Sequence, residues 1–69
     1  MPLTVADKNK DYTIQRIGGT SEVRNHLENL GFVIGATVRV VSAISGNLIV
    51  SIKESRIALD RELAQKILV

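Results

Sequence analysis

Apolar residues recur at helical spacing in the first half of the chain. The recurring residues are Val23, Leu27 and Leu30. Intervals of four and three residues place their side chains on one face of an α-helix. Thr20 or Ser21 supplies a hydroxyl at the N-cap position, and Gly31 follows the last apolar residue, where a helix commonly ends. The pattern therefore predicts one amphipathic helix between Thr20 and Gly31.

Two segments with alternating apolar residues follow this helix. Residues 36–44 are rich in β-branched side chains, and one face of a strand there would carry Val38, Val40, Ser42 and Ile44. Residues 48–53 would align Val50 and Ile52 in the same way. Ser45-Gly46-Asn47 between them is a typical turn sequence. The two segments are predicted to form an antiparallel hairpin.

Shorter apolar segments account for most of the remaining chain. A strand is predicted over residues 12–17, where Tyr12 and Ile14 share a face and Ile17 breaks the alternation. Another strand is predicted over residues 56–59, after a turn at Glu54-Ser55. Asp60 is positioned to cap a short helical segment over residues 61–67, and the last residues form a strand or a tail.

These elements together predict a mainly β fold. It has about five short strands, one inserted helix and one short C-terminal helical turn. Short strands joined by tight turns in so small a chain are typical of a partly open β-barrel. No internal repeat, low-complexity tract or flexible linker divides the sequence, so a single domain over residues 1–69 is expected.

The composition of the chain excludes several kinds of binding site, and its sequence lacks the common localisation signals. The 69 residues include no cysteine and one histidine, so neither disulfides nor thiolate metal sites are possible. No apolar run approaches the roughly 18 residues that a membrane-spanning helix requires. The N-terminus lacks the arrangement of a secretion signal. We expect a cytoplasmic protein with no segment inserted in the membrane.

The glycines Gly31 and Gly35 enclose three apolar residues, Phe32, Val33 and Ile34. A phosphate-binding loop would lead into the N-terminus of a helix, whereas these glycines follow a helix and precede a strand. A structural corner is therefore predicted. Three adjacent apolar side chains on a tight turn cannot all enter one core, so part of this corner should be exposed.

Few residues could carry catalysis or bind a metal. Glu22 and His26 lie one helical turn apart and are the only candidates for a metal site, but no third ligand accompanies them. A solvent-exposed helix surface is the simpler interpretation, so no metal site and no cofactor are predicted. One histidine without cysteine also gives little basis for nucleophilic catalysis, and we predict that the protein is not an enzyme.

Nucleic-acid binding is considered because small barrels often have this function. The basic residues that could form a diffuse basic face are Arg16, Arg24, Arg39, Lys53, Arg56 and Arg61. Seven acidic residues offset nine basic ones, and Tyr12 and Phe32 are the only aromatic residues available for base stacking. A charge mixture that favours solubility explains the pattern better, so no nucleic-acid partner is predicted.

The order and spacing of these motifs resemble the FeoA family, the small cytosolic component of bacterial ferrous iron uptake. The residues that match the family pattern are Leu27, Leu30, Gly31, Phe32, Gly35, Val38, Val40, Ile57, Ala58, Leu59, Leu63, Ala64, Ile67 and Val69. Ile34 departs from the pattern, because family members often have proline there. Asp60 replaces a frequent basic residue.

The resemblance implies an SH3-like β-barrel and a partner. That partner is FeoB, the membrane ferrous iron transporter, through its cytosolic GTP-binding domain. The residues expected to contact it are Val33, Ile34, Ile49, Arg24 and Arg56. Gly31, Gly35 and Asp60 are assigned structural roles. A related barrel ends some iron-dependent repressors, so a metal-responsive regulator or a nucleic-acid-binding module remains the alternative.

Overall fold

Six short strands and two short α-helices make up the structure, a computed structural model that describes residues 1–69. In chain order they are β1 (Asp11–Thr13), β2 (Arg16–Ile17), α1 (Ser21–Asn29), β3 (Thr37–Ile44), β4 (Asn47–Ile52), β5 (Ser55–Leu59), α2 (Arg61–Gln65) and β6 (Ile67–Leu68). A 3₁₀ turn over Leu3–Val5 precedes β1. The fold is mainly β with short helices, as the sequence pattern predicted.

Four strands form an antiparallel sheet in the order β1-β3-β4-β5. Successive side chains of a strand point to opposite faces of the sheet. In β4, this places Leu48, Val50 and Ile52 on the buried face, while Ile49 between them is only half-buried. The predicted hairpin of β3 and β4 is confirmed, and its inner face forms one wall of the core.

The prediction of one continuous strand over residues 12–17 is wrong, because the chain passes from one sheet to the other at Ile14 and Gln15. The Ile14 N–H donates to the carbonyl of Ala36 at 2.9 Å, next to the larger sheet. The Gln15 N–H donates to the carbonyl of Leu68 at 2.8 Å, in the small sheet that β2 forms with β6. Two strands therefore replace the predicted one, and Ile14 is buried between them.

Both predicted turns differ from the observed ones by one residue: the first is one residue shorter, and the second lies one residue earlier in the chain. Ser45 and Gly46 alone form the first turn, with φ values of 49° and 83° that match a type I′ hairpin, and Asn47 already pairs with Ile44. The second turn consists of residues 53–54 rather than Glu54-Ser55, since Ser55 pairs with Ile52. Two-residue turns set the register of both hairpins.

The predicted common face of Val38, Val40, Ser42 and Ile44 does not extend along the whole of β3. The strand pairing shifts register between Val40 and Ser42, which interrupts the alternation of faces. Val38 and Val40 are buried, whereas Ile44 is 61% exposed. The end of β3 therefore leaves the core.

Side-chain oxygens cap both helices. Thr20 Oγ1 accepts a hydrogen bond from the Val23 N–H at 3.3 Å, which selects Thr20 as the N-cap of α1. Asp60 Oδ1 accepts one from the Leu63 N–H at 2.9 Å. The second helix ends at Gln65 rather than extending to residue 67, because Ile67 pairs with Ile17 in the small sheet and is fully buried there.

A single cluster of apolar side chains forms the core. Its members are Leu3, Ile14, Ile17, Leu27, Phe32, Val38, Val40, Leu48, Val50, Ile52, Leu59, Ala64 and Ile67. They come from both sheets, both helices, the N-terminal turn and the connecting residues Ile14 and Phe32, and no polar or charged residue is buried among them. Burial of one large apolar side chain contributes roughly 1.5–3 kcal/mol, so this cluster fixes how the two sheets and the helices pack.

Candidate functional site

The corner after α1 is built by a glycine that reverses the chain at the helix end. Gly31 adopts a φ of 104°, which side chains rarely tolerate. The Phe32 N–H donates to the carbonyl of Leu27 and the Gly31 N–H to that of Glu28, both at 2.9 Å. These two bonds are those of a Schellman motif. The motif directs Phe32 into the core beside Leu27, and both side chains are fully buried.

A second turn, from Val33 to Ala36, then leads into β3. The Ala36 N–H donates to the carbonyl of Val33 at 3.0 Å, and Gly35 has a φ of 90°, as the third position of a type II turn requires. The Gly35 N–H also donates to the carbonyl of Ile14 at 2.8 Å. Ile34 stands at the tip of this turn and is 70% exposed, while Val33 is 40% exposed.

A groove of about 600 Å³ lies between β2, α1 and this corner. Its lining residues are Arg16, Ile17, Ser21, Arg24, Asn25, Glu28 and Ile34. We refer to this set as the arginine groove. Of the residues predicted from the sequence to contact a partner, Arg24 and Ile34 meet here, and Val33 adjoins them in the chain.

The arginine side chains of this groove form no salt bridge. Arg24 and Glu28 are separated by one helical turn, yet the single salt bridge of the protein joins Arg39 and Asp11 on the larger sheet, at 2.7 Å. Arg16 and Arg24 are both exposed. The groove therefore presents two unpaired guanidinium groups beside one carboxylate and an exposed apolar side chain.

Ile49 and Arg56 lie on a different surface, the outer face of the larger sheet. Ile49 is half-buried and pairs with Ala58, while Arg56 pairs with Ser51. Ser51 also pairs with Arg39, which in turn pairs with Asp11. These registers place Arg56, Ser51, Arg39 and Asp11 in one row across the sheet.

The ion pair of this row perturbs both of its members. The hydrogen bond that Arg39 Nε donates to Asp11 Oδ1 lowers the pKa of the Asp11 carboxyl below its ordinary value. The same hydrogen bond raises the pKa of the Arg39 guanidinium. Both side chains remain about half exposed, so the pair is open to solvent and salt.

Glu22 and His26 occupy successive turns of α1, and both are exposed. No group of three or more histidine, cysteine, aspartate or glutamate side chains that could hold a metal occurs in the structure. Two ligands on a solvated helix surface do not make the closed four-ligand arrangement of a structural zinc site.

The basic residues considered for nucleic-acid binding do not share one depression. Arg16 and Arg24 line the arginine groove, Arg39 and Lys53 line a shallow depression on the larger sheet, and Arg61 lines another beside the Ser45-Gly46 turn. Phe32 is fully buried and Tyr12 half-buried. Neither aromatic ring is among the residues lining the arginine groove.

Sequence reasoning weighed Arg16 only for a nucleic-acid face and did not include it among the residues expected to contact a protein partner. It precedes the paired glycines Gly18 and Gly19, and only the antiparallel pairing of β2 with β6 positions it opposite α1. That pairing joins residues some fifty positions apart, so no local pattern indicates it. The separation of Arg24 from Arg56 depends on the same long-range topology.

None of the helices combines the length and the apolar character needed to cross a membrane.

Comparison with known proteins assigns the chain to a family. The FeoA domain family matches residues 1–69. A putative Fe(2+) transport protein A from Methanocaldococcus jannaschii is 32% identical over 68 residues, covering 99% of this chain and 83% of the relative.

Two solved structures share the fold of this chain. One is Stenotrophomonas maltophilia FeoA in complex with zinc, described as a prokaryotic SH3 domain protein, with a TM-score of 0.84 and 23% identity over 99% of this chain and 87% of that one. The other is a manganese-dependent transcriptional repressor, with a TM-score of 0.88 and 20% identity over 97% of this chain and 39% of the repressor. The predicted SH3-like fold is confirmed, and the match over the whole length shows that this chain belongs to the FeoA family, small accessory proteins of ferrous iron transport.

Proposed function

We propose that this protein is a non-enzymatic cytosolic regulator of bacterial ferrous iron uptake. It acts by binding the cytosolic GTP-binding domain of a FeoB-type membrane transporter. The observation that carries this proposal is the exposed apolar pair Val33 and Ile34, held at a hydrogen-bonded corner of a chain that belongs to the FeoA family.

The backbone conformation of the corner places this pair at the surface. The Schellman motif directs Phe32 inward, and the following turn fixes Ile34 at its tip. A preorganised apolar contact loses little conformational entropy when a partner covers it. The corner therefore has the properties of an anchor for a protein interface.

The outer sheet face offers a second, polar contact region. Arg56 is exposed there, and the neighbouring Ile49 retains part of its apolar surface. Arg24 belongs instead to the arginine groove beside the corner. In this proposal the corner and Arg24 form the principal contact, and Ile49 with Arg56 forms a separate contact on the outer sheet face.

Regulation requires that the protein distinguish two states of its partner. A bound protein shifts an equilibrium only by its difference in affinity for the two states. We therefore expect the corner to bind the GDP and GTP forms of the transporter domain with different affinity. Such a difference would bias the nucleotide cycle or the assembly of the transporter, without iron binding to the accessory protein.

The test is a titration of the labelled protein with the cytosolic domain of the FeoB-type transporter. The domain is loaded with GDP in one series and with a non-hydrolysable GTP analogue in the other. We expect saturable binding in at least one series and different dissociation constants in the two. Absence of binding in both series at about 100 μM domain, where even weak specific complexes form, would contradict the proposal.

A metal-responsive role is the second candidate, since the same fold forms part of a manganese-dependent transcriptional repressor. Glu22 and His26 are the residues that would carry it. Calorimetric titration with ferrous and zinc ions should then show micromolar binding that His26→Ala abolishes. Unchanged metal affinity in His26→Ala would exclude this version of the role.

A further inference from the structure

We propose that the arginine groove binds an acidic segment of a partner protein. A carboxylate of that segment pairs with Arg16 and Arg24, and a neighbouring apolar side chain packs on Ile34. The inference rests on the proposed function and deepens it, because it names the chemistry by which the partner is recognised.

The shape of the groove suits a short stretch of polypeptide. Its volume of about 600 Å³ lies within the roughly 300–1,000 Å³ typical of ligand sites. Ile17 is only 8% exposed, so it forms part of the apolar floor, while Ile34 is 70% exposed at the rim. The groove thus offers apolar contact both at its floor and at its rim. Polar side chains from β2 and α1 form the rest of its lining.

The charge of the groove determines which segment fits. Arg16 and Arg24 are not engaged in any salt bridge, and Glu28 leaves the lining with an excess of one positive charge. The planar guanidinium group binds carboxylates through two parallel hydrogen bonds. Two such groups on facing elements, β2 and α1, can receive one acidic side chain from either side.

The apolar residues of the groove favour a peptide over a nucleic acid. Nucleic-acid grooves combine basic residues with aromatic rings on which bases stack. Here the apolar residues that accompany the arginines are the aliphatic Ile17 and Ile34, and no aromatic side chain lines the groove. An aliphatic rim next to guanidinium groups matches a segment in which acidic and aliphatic residues adjoin.

Two synthetic peptides test the recognition chemistry directly. One contains glutamate and leucine in alternation, and the other has glutamine in place of every glutamate. The full-length ¹⁵N-labelled protein is titrated with each while its amide spectrum is recorded. We expect the glutamate peptide to shift the amides of Ser21, Arg24, Asn25 and Ile34, the glutamine peptide to shift them far less, and added salt to weaken the effect.

Three results of the peptide titration would overturn the proposal. They are equal shifts with both peptides, shifts confined to other surfaces, and no shift at about 1 mM peptide, a concentration that detects even very weak binding. Inorganic phosphate and a single-stranded oligonucleotide serve as further probes. Stronger binding of either at the groove would assign it to phosphate groups instead of carboxylates.

Paired variants separate this proposal from the docking proposal. The double variant Arg16→Gln/Arg24→Gln removes the groove charges, whereas Lys53→Gln/Arg61→Gln removes two basic side chains elsewhere on the surface. We expect the first to weaken binding of the glutamate peptide and of the transporter domain by about three- to tenfold, as for partly exposed ion pairs. The second should leave the peptide affinity unchanged.

The pattern of results tells the two failures apart. If the wild-type protein fails to bind the transporter domain, docking is excluded, and the peptide titration still decides the chemistry of the groove. If the wild-type protein and the groove variant bind the domain equally well, the groove proposal is wrong and docking stands.

Discussion

Single side chains decide where the helices of this protein begin. Thr20 and Asp60 each accept a hydrogen bond from the N–H three residues ahead, which would otherwise lack a partner in the first turn. In α2, only five residues long, that one bond is a large part of what distinguishes helix from turn. The carboxylate of Asp60 also interacts favourably with the positive end of the helix dipole.

Replacement of Asp60 should therefore destabilise the whole chain measurably. We expect Asp60→Ala to lower the free energy of unfolding by about 1 kcal/mol, and Asp60→Asn to retain most of the stability, because asparagine caps nearly as well. Urea denaturation followed by circular dichroism measures both variants. If Asp60→Asn and Asp60→Ala lowered the free energy of unfolding equally, the cap would not be the source of the stabilisation.

The Asp11–Arg39 pair predicts a pH dependence with a definite sign. Because the pKa of Asp11 is lowered in the folded protein, its contribution to stability is present above its ordinary pKa of 3.8 and lost as the pH falls through the folded-state pKa. Asp11→Asn should be slightly less stable than wild type at neutral pH, and this difference should vanish in acid.

Urea midpoints at neutral pH and at a series of values below pH 3.8 test this expectation. Asp7→Asn is a suitable control, since Asp7 is an exposed aspartate that forms no salt bridge. A difference between Asp11→Asn and wild type that persists unchanged in acid would mean that the ion pair does not stabilise the fold.

At the scale of elements, glycine conformations shape the corner after α1. Gly31 has a φ of 104°, and a Cβ atom added there would meet nothing within 4 Å. Any cost of a side chain at this position must therefore come from the backbone conformation and not from collision. Gly18 differs, because its φ is not in the left-handed region and an added Cβ would lie 3.8 Å from the carbonyl of Lys66, an ordinary contact.

This contrast gives a matched pair of substitutions. Gly31→Ala should lower the free energy of unfolding by about 1–2 kcal/mol, the usual cost of a left-handed conformation for a residue with a Cβ atom. Gly18→Ala should change it by less than about 0.5 kcal/mol. Thermal and urea unfolding of the two proteins make the comparison. A Gly31→Ala variant as stable as wild type would exclude the role assigned to this glycine.

Local sequence patterns predicted those helices and strands whose apolar spacing is visible within their own residues. The period of Val23 and Leu27 predicted α1, and the alternation around Val50 predicted the β3–β4 hairpin. The break between β1 and β2 could not be predicted in this way. It arises because the Ile14 N–H donates to Ala36, next to the larger sheet, and the Gln15 N–H to Leu68 in the small sheet, and both acceptors are distant in sequence.

At the scale of the molecule, the sequence indicated individual surface residues but not their grouping. The exposure of Val33 and Ile34 follows from three adjacent apolar residues on a turn, a local feature. The association of Ile34 with Arg16 and Arg24 depends instead on how β2, α1 and the corner pack. The resulting surface is apolar at its tip and basic beside it, which suits a protein partner.

The most direct test of this account compares two exposed isoleucines. Ile34 is 70% exposed at the corner and Ile44 is 61% exposed at the end of β3, so each can be replaced by serine at little cost to the fold. Binding of both variants to the cytosolic domain of the FeoB-type transporter is measured by titration. Ile34→Ser should raise the dissociation constant about tenfold or more, since burial of such a side chain contributes about 1.5–3 kcal/mol, whereas Ile44→Ser should leave it unchanged. Equal affinities for the wild-type protein and Ile34→Ser would contradict the proposal that this corner is the docking site.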